Sequence, residues 1–182
     1  MKKDLEAIER KCFSVKRKMG LLLALCCLLW ACGGAAAAEE EFLYDAGREV
    51  AVYLDEMGRS YMTQESEQSD RFLIRYTPAT STTLEAVSVT AHVYEDFASV
   101  VGNNLVEPDT SDMLKLYQTL ESVNDGVSFV RFLYDAGAGV IYPRVDIPYV
   151  EDGDFGRMVE RYLYLTALVV DQHYDELAAL EK

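Results

Sequence analysis

The stretch VSFVRFLYDAGAGVIYPRVDIPY, Val127 to Tyr149, is where the chain commits to a sheet. β-Branched and aromatic residues stand on both sides of DAGAG, Asp135 to Gly139, a glycine-containing connection of the kind that joins antiparallel strands. Inside it lies FLYDAG, Phe132 to Gly137, and the same hexapeptide occurs at Phe42 to Gly47. Around that first copy, Leu43, Ala46, Val50, Tyr53, Leu54 and Met57 recur at three- and four-residue spacings, and Gly58 is placed to end a helix. The first copy is therefore expected in a helix over Glu41 to Met57, the second in a strand that runs into a turn. The flanking residues do not align, so the coincidence is not an internal repeat.

Between the two copies, RFLIRY (Arg71 to Tyr76) and LEAVSVTAHVYED (Leu84 to Asp96) read as strands. The second alternates, with Val87, Val89, Ala91 and Val93 on one face and Ser88, Thr90, His92 and Tyr94 on the other, so one face of the sheet is expected to be wet. GRSYMT after the first helix reads as a further strand. PDTSDMLKLYQTLESVNDG, Pro108 to Gly126, predicts a helix capped by Asp109, Thr110 or Ser111, with Met113, Leu116, Tyr117, Leu120 and Val123 on one stripe. A last long helix is expected from about Asp154 to Leu180. The order predicts an α+β fold: an antiparallel sheet of about five strands with N-terminal, central and long C-terminal helices.

The N-terminal residues have a different character. Met19 to Ala38 is an uncharged run of twenty residues behind Lys16, Arg17 and Lys18, with a short apolar centre from Leu21 to Ala31, the form of an export signal. Two processing signals compete in it. LWAC, Leu29 to Cys32, resembles a bacterial lipobox and makes Cys32 the candidate lipid attachment site; Ala36 to Ala38 is an A-x-A site for ordinary signal peptidase. The lipobox is preferred, with Trp30 departing from the usual pattern. All four cysteines, Cys12, Cys26, Cys27 and Cys32, lie in this leader. The organisation expected is a signal peptide over residues 1–32, a Gly/Ala/Glu tether over 33–40 and the α+β domain over 41–182, delivered to the cell envelope or periplasm.

Residues 1–32 hold seven of the 17 Lys/Arg and three of the 31 Asp/Glu, which leaves ten against 28, net −18, on the 150 residues that follow. Such a surface repels nucleic acid and anionic headgroups, so no nucleic-acid partner is expected and no membrane contact except through the lipid or an uncleaved leader.

Four features then converge on a family. A first helix closing on DEMGRSY (Asp55 to Tyr61), a helix ending YQTLESVND (Tyr117 to Asp125), the SFVRFLYDAGAGVIYPRVDIP hairpin and the long terminal helix together resemble the YbjN family, whose fold is similar to type III secretion chaperones. The resemblance runs from about Glu40 to Leu180 and is strongest in the hairpin, where a strand ends in Tyr134-Asp135, a glycine turn follows, and the next strand ends in Asp146, Ile147 and Pro148. It implies a chaperone-like fold and protein interactions of a regulatory kind. Members are commonly cytoplasmic, from which the leader departs.

Catalytic signatures are not found. No phosphate-cradling glycine loop precedes a helix and no G-x-S-x-G occurs. His92 falls on the polar face of a strand and His173 on the apolar stripe of the last helix, both structural readings. EDGD, Glu151 to Asp154, lacks the alternating ligands of a calcium loop and reads as a turn that caps the terminal helix. No catalytic, cofactor-binding or metal-ligating residue is assigned, and no cofactor is expected. In the terminal helix, Phe155, Val159, Tyr162, Thr166, Val169 and His173 form the expected core stripe, while Arg157, Arg161, Tyr164 and Leu168 line up on the opposite side as a candidate surface for a protein partner or a second copy. The reading preferred is a non-enzymatic binding module of the envelope; the alternative is an envelope enzyme with carboxylate chemistry that the sequence does not display. For the leader, Cys32→Ser is expected to move the protein from the membrane fraction to the soluble fraction, and unchanged membrane association would overturn the lipobox.

Overall fold

The structure is a computed structural model and describes residues 41–151 and 153–181. The leader, the tether and Cys32 lie outside the described residues. In chain order the elements are α1 (Asp45–Glu56), β1 (Met62–Gln64), β2 (Asp70–Tyr76), β3 (Val87–Val93), β4 (Phe97–Gly102), a 3-10 turn (Thr110–Asp112), α2 (Met113–Asp125), β5 (Arg131–Asp135), β6 (Val140–Pro148) and α3 (Phe155–Ala178). The fold is α+β, and its antiparallel sheet has six strands in the order β1-β2-β3-β4-β6-β5. The strand beyond the expected five is β4, which follows β3 through a tight turn at Glu95 and Asp96 closed by Tyr94 N–H donating to Phe97 O at 2.8 Å. After β4 the chain passes through α2 to the sheet's edge, forms β5 there, and returns by the hairpin to insert β6 beside β4.

Strand register sorts the side chains. Ile74, Val89 and Gly102 share one row, and Phe72, Ala91, Val100 and Val145 the next, all on one face of the sheet. Against that face α1 places Ala46, Val50, Ala51 and Leu54, and α3 places Phe155, Val159, Leu163, Ala167 and Val170. A second cluster joins Leu116, Leu120 and Val123 of α2 to Phe132 and Ile141 of the hairpin and to Val169 and Leu177 of α3. All three helices thus cover the same face. Burying each large aliphatic side chain contributes about 1.5–3 kcal/mol, and α3 supplies members to both clusters.

The two FLYDAG copies do part company. Of the first, only Asp45, Ala46 and Gly47 are helical; Phe42, Leu43 and Tyr44 precede the helix, a later start than periodicity predicted. Asp70 of β2 sets that start, its carboxylate accepting from Leu43 N at 2.9 Å and Tyr44 N at 3.1 Å. A Cβ on Gly47 would collide with the same carboxylate. In the second copy, Phe132 to Asp135 are strand, Asp135 Oδ1 accepts from Gly137 N at 2.8 Å, and Gly139 closes the turn with φ +73°.

Both cap expectations need correction. The cap of α2 is Asp112, which accepts from Lys115 N at 3.0 Å, while Asp109 caps the 3-10 turn before it through Ser111 N. Asp154 stands at the N-cap position of α3 and makes no capping hydrogen bond. Glu49 Oε1 does the capping from α1, accepting from Phe155 N at 2.8 Å and Gly156 N at 3.2 Å, while Asp154 pairs with Arg157 at 2.6 Å.

The loop between β2 and β3 is held by two carboxylates one helical turn apart. Asp171, only 5% exposed, accepts from the backbone N–H groups of Ala79, Thr80 and Ser81 at 2.8–3.1 Å. Asp175 accepts from Thr82 N at 2.9 Å and from the hydroxyls of Ser81, Thr82 and Thr83 at 2.6–2.9 Å. Burial pushes Asp171 up, but the three amides outweigh it and hold its carboxyl below the usual range. The Ser81 hydroxyl, then Thr82 N–H and Thr83, hold Asp175 far below it. Because both carboxyls are depressed in the folded state, their stabilisation is complete above the unfolded value of about 3.9 and is lost as pH falls through the folded values. Asp171→Ala, which leaves three amides without their acceptor, is expected to cost about 3 kcal/mol in a urea titration at neutral pH. Asp171→Asn with Asp175→Asn is expected to flatten the dependence of stability on pH below about pH 4, where the parent chain loses stability.

Candidate functional site

The outward side of α3 is where sequence and structure bring candidate residues together. Arg157, Arg161, Tyr164 and Leu168 are all exposed on one stripe, Tyr164 at 49% and Leu168 at 36%. The opposite side is wider than expected. Phe155, Val159, Thr166 and Val169 are buried as predicted, Tyr162 and His173 only partly so, and Leu163, Ala167, Val170 and Asp171 complete the buried face. Helical periodicity found the axis of the face and underestimated its width, because α3 is packed on two flanks, by the sheet and by α1.

Around the stripe the tertiary structure adds residues that no sequence pattern linked to it. Phe129, 59% exposed in the loop between α2 and β5, meets Tyr162 edge to face with ring centres 6.2 Å apart. A shallow cavity of about 160 Å³ lies beside it, walled by Val127, Phe129 and Val130 on the loop and Leu165, Val169 and Gln172 on α3. Along the helix, the ring of Tyr164 packs edge to face on Tyr76 at 6.2 Å. Tyr76 is the last residue of β2, and its hydroxyl has no hydrogen-bond partner among the described residues. Burial, then the Glu160 carboxylate, pushes its phenol up to about 12, so it remains protonated at any physiological pH. Glu160 is itself held by Arg59, whose Nε donates to Oε1 at 2.9 Å.

The two arginines differ. Arg157 is engaged with Asp154 on its own helix end, an exposed pair of small energetic consequence, whereas Arg161 makes no ion pair among the described residues. The stripe therefore offers one cation without an ion pair among the described residues, one aromatic ring and one aliphatic side chain, and the apolar cavity lies on a neighbouring flank of the helix. This chemistry suits contact with another protein.

The other face of the sheet was anticipated only as wet. Register places Arg71, Leu73 and Arg75 of β2 there, with Ser88, Thr90 and His92 of β3, Ser99 and Val101 of β4, Arg144 and Asp146 of β6, and Arg131 of β5. Thr90 is nevertheless buried at 3% and receives a hydrogen bond from Asn103 Nδ2 at 2.7 Å, so the face is less wet than the alternation implied. Burial first, and then the charges of Arg71 and Arg144, lower His92, which keeps it neutral. His173 packs on Phe132 and lies 3.7 Å from Glu176. Among the described residues no group of three or more His, Cys, Asp or Glu could hold a metal ion.

No protein-family model matches the chain, and no curated protein does. Among solved structures the fold is similar to that of YbjN from E. coli, a proposed transcription regulator, at 14% identity and a TM-score of 0.47 over 71% of this chain and 91% of that one. At that identity and score the likeness carries no functional argument.

Proposed function

We propose that this protein is a non-enzymatic binding module of the bacterial cell envelope, exported by its N-terminal leader, anchored through lipid at Cys32, and acting by contact with another protein. The leader supports the location. The observation that carries the binding role is the outward stripe of α3, where Tyr164 and Leu168 stand exposed one turn apart; exposed Phe129 and its cavity lie on a different flank of the same helix, against Tyr162, Leu165 and Val169. Arg161, which makes no ion pair among the described residues, lies in line with Tyr164 and Leu168, and aromatic and arginine side chains are enriched at interface centres. The acidity of the chain leaves few cations, several of them already paired, so an arginine such as Arg161 without an ion pair among the described residues stands out against its surroundings. No helix among the described residues is long and apolar enough to cross a membrane.

Leu168→Glu is expected to abolish capture of the partner from native envelopes while leaving the circular dichroism spectrum and thermal midpoint unchanged, because Leu168 lies outside the packed face. Capture at the parent level by a folded Leu168→Glu variant would remove the stripe from the binding role. A fall in the parent's apparent mass on the same substitution would identify the partner as a second copy.

A further inference from the structure

The face of the sheet away from the three described helices inverts the charge of the molecule. Four of the ten Lys/Arg that follow the leader, Arg71, Arg75, Arg131 and Arg144, leave the backbone on this face of a domain that carries net −18, and the guanidinium of Arg131, on the edge strand β5, turns round the edge to Asn124 O at the end of α2. They are arranged in two banks. Arg71 and Arg75 rise from β2, Arg144 and Arg131 from β6 and β5, and β3 and β4 run between the banks. From β2 to β6 is three strand spacings, about 14 Å. The floor between is made of short or neutral side chains, of which Ser88, His92 and Val101 are half-buried while Thr90, under the Asn103 amide, and Ser99 are buried, so a ligand meets the arginines and the half-buried residues first. Arg71 and Arg75 make no ion pair among the described residues; Arg144 is paired with Asp146 at 2.9 Å, and Arg131 donates to Asn124 O at 2.7 Å. The effect of Arg71 and Arg144 on His92 places both banks within electrostatic reach of the floor. Asp146 and Asp135 are the acids that register puts on this face, and Asp135 is occupied by the Gly137 and Ala138 amides of its own turn.

We propose that this face docks an acidic polypeptide segment in extended form, lying along β3 and β4 with its carboxylates reaching the arginines of both banks. A strand-like segment of about eight residues spans the seven of β3, and its side chains fall alternately toward and away from the floor. Guanidinium groups accept carboxylates in bidentate fashion, which gives geometric selection as well as attraction. The occupant is a polypeptide and not a nucleic acid or an anionic bilayer, because a long polyanion or a plane of headgroups brings its charge against the acidic remainder of the domain, whereas a short segment meets only the arginine face. This surface lies on the side of the sheet away from the α3 stripe, so its occupancy is independent of the binding role assigned to that stripe.

The test is fluorescence anisotropy of the exported chain with a labelled extended peptide rich in Asp and Glu, against a control in which every carboxylate is an amide. The expected result is preference for the acidic peptide, loss of affinity as salt rises from about 0.05 M to about 0.5 M, and weakening on the order of tenfold in Arg71→Glu with Arg75→Glu. Arg71→Gln with Arg75→Gln, which removes charge without reversing it, is expected to weaken binding less, with unchanged circular dichroism in both variants. Equal affinity for the acidic and amide peptides, or full acidic-peptide binding by the folded double reversal, would overturn the proposal. So would arginine-dependent binding of anionic lipid vesicles in preference to the peptide, or arginine-dependent self-association in light scattering with no peptide binding. Leu168→Glu is expected to leave peptide affinity unchanged, so failure here and failure of the α3 stripe are read separately.

Discussion

The packing of α3 across the sheet is the constraint on which the other elements depend. Its inner face lies on β3, β4 and β6, and α1 and α2 both reach their cores through it. The approach of α1 is close enough that a Cβ on Gly156 would meet Tyr53 Cβ at 2.6 Å and Glu49 O at 2.8 Å. That proximity is what lets the Glu49 side chain cap α3 from a neighbouring helix. A helix end satisfied in this way is stable only when the tertiary structure is present, so secondary structure and packing form together.

Polar side chains that take up backbone hydrogen bonds do the rest of the positioning. Asp70 sets the entry to α1, Asp171 and Asp175 hold the β2–β3 loop, Asn104 bridges Ser88 N and Ala86 O, and Asn124 exchanges two hydrogen bonds with Phe132. Each satisfies amides or carbonyls that neither sheet nor helix pairs. Acidity in this chain is therefore partly architectural. A carboxylate that receives several amides is worth more to the fold than the same charge on an open surface, which mainly aids solubility.

The same architecture separates the two surfaces assigned to binding. With three helices on one face of the sheet, the outward side of α3 and the arginine-bearing strand face lie on opposite sides of the molecule. One is aromatic and aliphatic with an arginine that makes no ion pair among the described residues; the other is cationic with a floor of short or neutral side chains. Apolar contact gives affinity that salt leaves largely intact, whereas arginine contacts give affinity that salt weakens.

By itself the sequence determined the α+β class, the hairpin at Asp135 to Gly139, the β3 alternation and the long terminal helix, because each rests on local periodicity or turn chemistry. It also placed Arg157, Arg161, Tyr164 and Leu168 on one exposed stripe, since helical geometry fixes the azimuth of a residue. Strand β4 was not legible: Phe97–Gly102 is short, holds Ala98 and Ser99, and is a strand because β3 and β6 stand on either side of it. Tyr117 shares the periodic stripe of α2 yet is 55% exposed, because α2 packs on the sheet's edge and only a narrow face is covered. The Asp112 cap is local and was missed by one residue among neighbouring candidates, whereas the cap from Glu49, the grip of Asp171 on residues 79–81 and the gathering of arginines on one face all join residues far apart in the chain. Strand order and register decided them, and neither is a local property of the chain.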